Sequence, residues 1–266
     1  MPVVWSDRCR LHEPGGEIWV GVRTPGTESA ARADAILAAL LEEEPRIMPA
    51  EQHSDTALLA VHDPALLAFL ESAWDEWTAA GLDREPGQDR VVPYVLAHAE
   101  LTAAAFADRL GGPVAVLDID AHHGNGTREI FYDRTDVLVG SVHVDPGAGW
   151  FPHFLGFADE TGGGANKNLP IAPGSGDDAW LDAVAGLAAW AKGAAATSLV
   201  VPPGVDAAAG DPESPLDVTA TGFRQAGRML GALELPTVLV QEGGYDLAAH
   251  GPLVREVLLG LEEGAA

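Results

Sequence analysis

PVAVLDIDAHHGNGT, residues 113–127, joins an apolar run to a dense group of polar side chains. The first five residues are apolar and include two valines, a pattern typical of a strand buried on both faces. Two aspartates and two histidines follow within six residues: Asp118, Asp120, His122 and His123. Carboxylates and imidazoles at the end of a buried strand indicate a ligand site at that point.

Three further apolar runs follow along the chain, at residues 136–144, 197–205 and 236–244. Helical patterns separate the later runs, at 178–195 and 218–233, and a last helix is predicted over 251–263. A short strand is predicted at residues 3–6. This alternation predicts an α/β fold with a mainly parallel sheet, right-handed crossovers and helices on both faces. The length suits a single domain over residues 1–266.

The N-terminal part is predicted to contain three helices. The first covers residues 29–44, with an apolar face made of Ala33, Ile36, Leu37, Leu40 and Leu41. The second has Asp63 as its N-cap and Gly81 as its stop. Its apolar stripe is predicted to pack into the core and consists of Leu66, Leu67, Leu70, Trp74 and Trp77. A loop over 82–98 and a short Ala-rich helix over 99–110 complete this part.

Composition excludes several classes of function. The formal charge of −25 argues against a nucleic-acid partner, which requires a basic face, and is compatible with a cationic substrate. The single cysteine, Cys9, excludes an internal disulfide and a thiolate zinc cage. No signal peptide or membrane-length apolar run is present in the sequence, so we expect a cytoplasmic protein without a membrane partner. A homo-oligomer is compatible with these data.

Four predicted strands end in polar or glycine-rich sequence, and the carboxyl ends of parallel strands meet at one edge of a sheet. Asp120 and His122, two residues apart on a strand, would lie on one face roughly 6.6 Å apart. Asp206, after the third run, is the best third ligand. Each residue alone has an ordinary structural explanation, as a cap, a core contact or a turn, but together they favour a metal. An Asp, His, Asp set suits zinc with open positions.

Tyr245 follows Gly243 and Gly244 at the end of the fourth run. The two glycines allow the backbone to approach the site closely. A tyrosine hydroxyl there could donate a hydrogen bond to a developing oxyanion.

Four segments together resemble the histone deacetylase superfamily: DIDAHHGNGTREIFY (118–132), GSVHVDPGAGWFPHFLGFADETGGGANKNLPIAPGSGD (140–177), GVDAAAGDP (204–212) and QEGGYD (241–246). Residues 145–162 look most like the bacterial acetylpolyamine amidohydrolase branch. The resemblance extends from about residue 113 to the C-terminus and is weaker at residues 10–28.

The resemblance implies a three-layer arginase/deacetylase-like sandwich that hydrolyses amides to acetate and a free amine. It implies one zinc ion per chain, bound by Asp120, His122 and Asp206, with Tyr245 as the transition-state donor. Phe151, Gly243 and Gly244 would line the substrate tunnel. A structural potassium ion would be bound by Asp118, Asp120, His122, Ser141 and Val142. A second monovalent site would lie near Phe131, Arg134 and Val137.

The sequence departs from the family at the general base. The family takes its base from a second histidine pair in a PGHH motif before the zinc strand, whereas the only adjacent histidines here are 122 and 123. The nearest string, REPGQDR at 84–90, has Gln88 and Asp89 at the histidine positions. Several dozen residues of the usual core are therefore expected to be missing near 97–101. His98, His143 and His153 are candidate substitutes, and no base is assigned.

The sequence leaves three functions to be considered. The first is a zinc-dependent hydrolase of small acetylated amines, of acetylpolyamine or acetyl-lysine type, with impaired turnover. The second is an inactive remnant that binds a metal together with acetylated ligands or a protein partner. The third, an arginase-like binuclear manganese enzyme, is disfavoured, because Gly124 stands two residues after His122 and no carboxylate stands two residues after Asp206.

Overall fold

The computed structural model describes residues 2–13, 16–19, 22–51, 54–56, 58–59, 64–81, 84 and 113–266. The strands in these ranges are β1 (Pro2–Trp5), β2 (Glu17–Trp19), β3 (Val22–Thr24), β4 (Arg46–Pro49), β5 (Val114–Asp118), β6 (Val137–Val144), β7 (Asn166–Ile171), β8 (Ser198–Val201) and β9 (Thr237–Leu239). The α-helices are α1 (Ala30–Leu41), α2 (Pro64–Ala79), α3 (Asn125–Phe131), α4 (Asp177–Gly193), α5 (Ala220–Gly231) and α6 (Leu247–Gly264).

A five-stranded parallel sheet forms the centre of the structure, in the order β7-β6-β5-β8-β9. The central strand β5 pairs on both sides, so that Val114 lies opposite Val137 of β6 and Ser198 of β8. The prediction of a mainly parallel α/β sheet is confirmed. Strand β7 was not predicted, because its sequence NKNLPI begins with three polar residues where the other strands of this sheet have apolar runs.

Alternate residues of β5 are buried on opposite faces of the sheet. Val114 and Val116 pack in a cluster that includes Phe131 of α3. Ala115 and Leu117 belong to the larger cluster on the other face, which α4, α5 and α6 cover with Trp180, Phe223 and Val257, among others. Helices on both faces are therefore confirmed, and the period-2 alternation of a strand explains the division.

Helix caps set the boundaries on the C-terminal side. The side chain of Thr219 accepts a hydrogen bond from the Gly222 N–H, which caps α5. Asp246 accepts from the Ala248 N–H and caps α6, so this helix begins at Leu247 rather than at the predicted residue 251. Helices α5 and α6 approach closely at Gly227, where an added Cβ would meet the carbonyl oxygen of Val257.

The N-terminal part adds smaller elements. Strand β1 pairs with β4 in parallel, and β2 pairs with β3 antiparallel. Helix α1 packs on α6, where Gly251 leaves room for the carbonyl of Ala35. The buried face of α1 carries Arg32 and Leu40, whereas Leu41 is exposed although the pattern placed it on the apolar face.

Helix α2 contradicts one prediction. Leu70 is 59% exposed and Trp74 is 46% exposed, so the expected core packing of its apolar stripe is wrong at these two residues. Leu67 and Trp77 are partly buried. An apolar stripe shows which face of a helix avoids water but not which element covers it, and this limits the inference.

Several predictions lie outside the described residues. These are the Asp63 cap, the Leu66 side chain, the 82–98 loop apart from Arg84, the 99–110 helix, His98 and the junction near 97–101. Within the described ranges, no helix is both long and apolar enough to cross a bilayer.

Candidate metal centre

The polar cluster lies just beyond the carboxyl ends of β5 and β8. Strand β5 ends at Asp118, and Asp120 and His122 lie in the bends between it and α3. The prediction that both occupy one face of a strand is therefore wrong in its local geometry. The segment HHGNGT, residues 122–127, leads through Gly124 into α3. Asp206 lies in a turn after β8.

The structure brings three predicted ligands together. His122 Nδ1 lies 3.2 Å from Asp120 Oδ1 and 3.0 Å from Asp206 Oδ2. One ligand atom from each residue lies within 4.8 Å of the other two, and among the described residues this is the group that could bind a metal ion. Such spacing matches ligands that share one ion at bonds of roughly 2 Å.

Backbone donors hold the two carboxylates in place. Asp206 Oδ1 accepts from the Ala121 N–H at 2.8 Å, and Asp120 Oδ2 accepts from the Gly243 N–H at 3.1 Å. A Cβ at Gly243 would collide with both carboxylates, and one at Gly204 would collide with Asp120. These two glycines are therefore required because the backbone passes directly beside the cluster.

Two residues of the cluster, His122 and Asp206, have raised pKa values, and a bound cation would compete with their protons. Burial alone would lower the pKa of His122, but hydrogen bonds to Asp120 and Asp206 outweigh it and raise that pKa well above 6.5. Burial, and then the charge of Asp120, raises the pKa of Asp206 to about 7. Buried negative charge is costly unless a positive group compensates it. The oxygen and nitrogen donors fit a divalent cation such as zinc, which would displace these protons.

Tyr245 lies at the edge of this cluster. Burial, followed by the charges of Asp206 and Asp120, raises the pKa of its phenol above the ordinary value. The hydroxyl therefore stays protonated at neutral pH and can donate a hydrogen bond. Asp211 orients the residue by accepting from the Tyr245 N–H at 2.8 Å.

Arg32 donates hydrogen bonds to the loop at residues 242–244, just before Tyr245. Its guanidinium donates to the carbonyls of Gly244, at 2.8 Å, and of Glu242. The same group lies 4.9 Å from the centre of the Tyr245 ring. Glu28 accepts from Arg32 at 2.6 Å and balances its charge. Gly244 has a φ of +122°, a conformation that favours glycine.

His250 of α6 lies behind the same loop. It is 1% exposed, and a Cβ on Gly244 would collide with its ring. Burial, and then the nearby charge of Arg32, lowers the pKa of His250 to about 4. The imidazole is therefore neutral at physiological pH.

Phe151 lies beside the cluster, with its ring centre 6.3 Å from that of His122. It is half-buried, as expected of a residue that lines an opening. Gly243 and Gly244, also predicted to line the tunnel, contribute backbone rather than a wall of side chains.

The residues predicted to bind monovalent cations fall into two groups. Asp118 lies opposite Ser141 in the β5–β6 register, next to Val142, and Asp118 Oδ1 accepts from the Asp120 N–H at 3.0 Å. At the far end of α3, Arg134 pairs with Asp136 and lies over the Phe131 ring at 5.1 Å. Phe131 and Val137 are buried there.

His143 cannot act as the substitute base in this arrangement. It is fully buried, with Nε2 donating to the Gly156 carbonyl at 2.9 Å and Nδ1 accepting from the Ser141 hydroxyl at 2.8 Å. Burial, and then the charge of His123, lowers its pKa to about 3. Both ring nitrogens are therefore occupied. His153 is exposed, beyond Phe151 from the cluster.

Sequence reasoning missed Arg32, Asp211 and His250. One signal was available for Arg32, which stands four and eight residues before Ile36 and Leu40 and so shares their helix face. A lone arginine in an Ala- and Leu-rich stripe needs a buried partner. The partners are backbone carbonyls some 210 residues away, at 242 and 244, and no local pattern reveals them.

The fold and the cluster together define an α/β protein with a metal-ligand set at the carboxyl edge of a parallel sheet. A family model described as "Histone deacetylase domain" matches residues 95–261. The chain belongs to this family, in its bacterial acetylpolyamine amidohydrolase branch.

Individual relatives agree with this assignment. The chain is 33% identical to acetylpolyamine amidohydrolase 1 of Pseudomonas aeruginosa, over 99% of both chains. It is 30% identical to acetylpolyamine amidohydrolase of Mycoplana ramosa, over 98% of this chain and 99% of that one. Its fold is similar to a crystal structure of acetylpolyamine aminohydrolase from Burkholderia pseudomallei, with a TM-score of 0.90, 27% identity and 99% of each chain covered.

The length of one alignment shows that many alignment positions of a relative have no counterpart in this chain. The alignment to the first Pseudomonas aeruginosa relative has 344 positions, whereas this chain has 266 residues. At least 78 alignment positions therefore contain no residue of this chain.

Proposed function

We propose that the protein is a zinc-dependent amidohydrolase that removes acetyl groups from small acetylated amines. The observation that carries the proposal is the convergence of Asp120, His122 and Asp206, with one ligand atom from each within 4.8 Å of the others. When bound there, zinc supplies polarisation of the amide carbonyl and activation of water. The relatives' names indicate acetylated polyamines as the substrate class.

The residues of the chain contribute the remaining functions. The protonated phenol of Tyr245 donates to the oxyanion that develops on the amide oxygen. Arg32 and Asp211 hold the loop that presents this phenol, through the Gly244 carbonyl and the Tyr245 N–H. The Phe151 ring lies beside that of His122 and would limit the access of water to it. The formal charge of −25 attracts a cationic amine and disfavours nucleic acids.

The general base sets the turnover that we expect. We infer that the 78 or more gapped positions include the segment that carries the second histidine pair in the family. General-base catalysis contributes roughly 10²–10⁴ in rate, so turnover is expected to be slow by a comparable factor. The same gap supports a second candidate function, an inactive relative that retains the metal and binds acetylated amines.

Metal analysis and turnover of an acetylated polyamine, measured on the wild type and on Asp206→Asn, test the proposal. We expect about one zinc per wild-type chain and slow release of acetate. Asp206→Asn should lose more than about 100-fold in zinc affinity, because changes even to residues behind the ligands cost 10–100-fold. Asp159→Asn, the same change at an exposed site, serves as the matched control.

The possible outcomes separate the candidates. Zinc binding and turnover that persist in Asp206→Asn contradict the metal site. Zinc binding by the wild type without any acetate release supports the inactive relative.

A further inference from the structure

Three aromatic rings form a continuous series from the metal cluster to solvent. The Phe151 ring centre lies 6.3 Å from that of His122 and 6.3 Å from that of His153. The His153 centre lies 6.2 Å from that of Phe154, and all these pairs meet edge to face. Phe154 is 85% exposed, the highest exposure among the large apolar side chains of the described residues. We call Phe151, His153 and Phe154 the aromatic series.

The backbone holds the outer part of this series in place. The His153 N–H donates to the Trp150 carbonyl, and the Phe154 N–H donates to the Pro152 carbonyl, both at 2.8 Å. His153 has a φ of +65°, a conformation that residues with side chains rarely adopt and that is concentrated at ligand sites.

The chain just beyond the series is anchored as well. The Gly156 carbonyl accepts from buried His143 at 2.9 Å, and the Gly156 N–H donates to Glu160 at 3.3 Å. The exposed Phe154 side chain is therefore carried by a turn that backbone hydrogen bonds hold in place.

We propose that the aromatic series binds the cationic chain of an acetylated polyamine, with the Phe154 ring making the outermost contact to an ammonium group. This inference rests on the proposed function, because it takes the acetyl end of the ligand to lie at the metal cluster. The face of an aromatic ring attracts a cation within about 6 Å of its centre. The formal charge of −25 adds a field that favours a cation over a neutral chain.

The series also predicts selectivity among acetylated amines. An acetylated amine with only an alkyl chain would gain apolar contact with Phe151 but no cation–π contact. An acetylated polyamine carries ammonium groups further along its chain, where His153 and Phe154 lie. The protein should therefore prefer an acetylated polyamine to an uncharged amide of equal chain length.

The test compares Phe154→Leu, which keeps apolar bulk but removes the ring, with Phe154→Trp, which keeps the ring. Phe157→Leu is the matched control, since Phe157 is a partly exposed phenylalanine three residues further along that makes none of the series' ring contacts. The ligands are acetylated spermidine and an uncharged N-alkylacetamide of equal chain length. Turnover is measured on the zinc-loaded proteins. Dissociation constants are measured by calorimetry in a zinc-loaded Tyr245→Phe background, which slows hydrolysis.

We expect Phe154→Leu to weaken binding of acetylated spermidine about two- to fivefold, the range for an exposed cation–π contact. Binding of the uncharged amide should not change, and Phe154→Trp should retain binding of both ligands. Equal losses for both ligands, or no loss for either, overturn the inference. The inference is also overturned if the protein with an unchanged aromatic series does not bind acetylated spermidine.

Failure of the proposed function gives a different result. In that case acetylated spermidine binds but no zinc-loaded protein releases acetate, and the calorimetric comparison of Phe154→Leu still decides the role of the aromatic series.

Discussion

The region from 113 to 266 and the described N-terminal region differ in how they use their apolar residues. Every residue of β5 and β6 is buried, whereas β1 alternates between exposed and half-buried residues and α2 exposes Leu70 and Trp74. Asp120, His122, Asp206 and Tyr245 all come from the sheet region. Among the described N-terminal residues, the buried side chain of Arg32 contacts the loop before Tyr245. Residues 113–266 therefore contain the predicted reactive groups, and Arg32 of the described N-terminal region holds the loop before Tyr245.

Tyr245→Phe tests whether the sheet region alone supplies the reactive groups. Removing one oxyanion donor typically costs about 10²–10³ in kcat, so we expect a loss of that size. Zinc content should remain at the wild-type level, because the phenol is not a predicted ligand. Steady-state kinetics and metal analysis of the same preparation measure both quantities. A variant that retains wild-type kcat would show that the oxyanion is stabilised by another group.

Arg32→Met tests the positioning role of the N-terminal region. Two carbonyls lose their donor, and each unsatisfied buried group costs about 1–3 kcal/mol, so we expect the free energy of unfolding to fall by about 2–6 kcal/mol. Activity should fall as well, because the loop before Tyr245 loses its anchor. Urea denaturation and kcat measure the two effects.

Arg10→Met is the matched control for Arg32. Arg10 pairs with Asp7 and Asp34 on the surface, where such pairs contribute about 0–1 kcal/mol. Equal destabilisation by the two substitutions would contradict a special role for Arg32.

His250 lies where the two regions meet, and it predicts a pH dependence of stability. Its pKa is lowered from 6.5 to about 4 in the folded protein, so the unfolded chain binds the proton more tightly. Stability contributed by the neutral ring is therefore complete above about pH 7 and is lost as pH falls from 6.5 towards 4. Between pH 7.5 and pH 5.0 this amounts to about 2 kcal/mol.

Urea denaturation of the wild type and of His250→Gln at these two pH values measures the effect. The variant should lose about 2 kcal/mol less than the wild type on acidification. Arg32 faces the ring, and Asp211 and Asp246 line the same small cavity, so the comparison is made between variants rather than from one curve. An identical pH dependence in both proteins would show that His250 is not kept neutral by folding.

Local sequence predicted four of the five strands in the parallel sheet, because each of these strands begins in an apolar run that is followed by polar or glycine-rich residues. Asp120, His122 and Asp206 could be grouped from sequence because parallel strands place their carboxyl ends at one edge. Strand β7 could not be predicted, since its burial depends on β6 rather than on an apolar run. The hydrogen-bond partners of Arg32 are likewise determined by tertiary packing, which local sequence patterns do not reveal.

Helix α2 provides the smallest expected effect and the clearest test of the contrast between regions. Its pattern predicted a buried stripe, yet Trp74 is 46% exposed. Trp74→Gln should therefore change the free energy of unfolding by no more than about 0.5 kcal/mol, as at other surface sites. Leu40→Ala on α1, where the side chain is 8% exposed, should cost about 2–5 kcal/mol. If Trp74→Gln costs as much as Leu40→Ala, α2 is covered in solution and the N-terminal region is packed as tightly as the sheet.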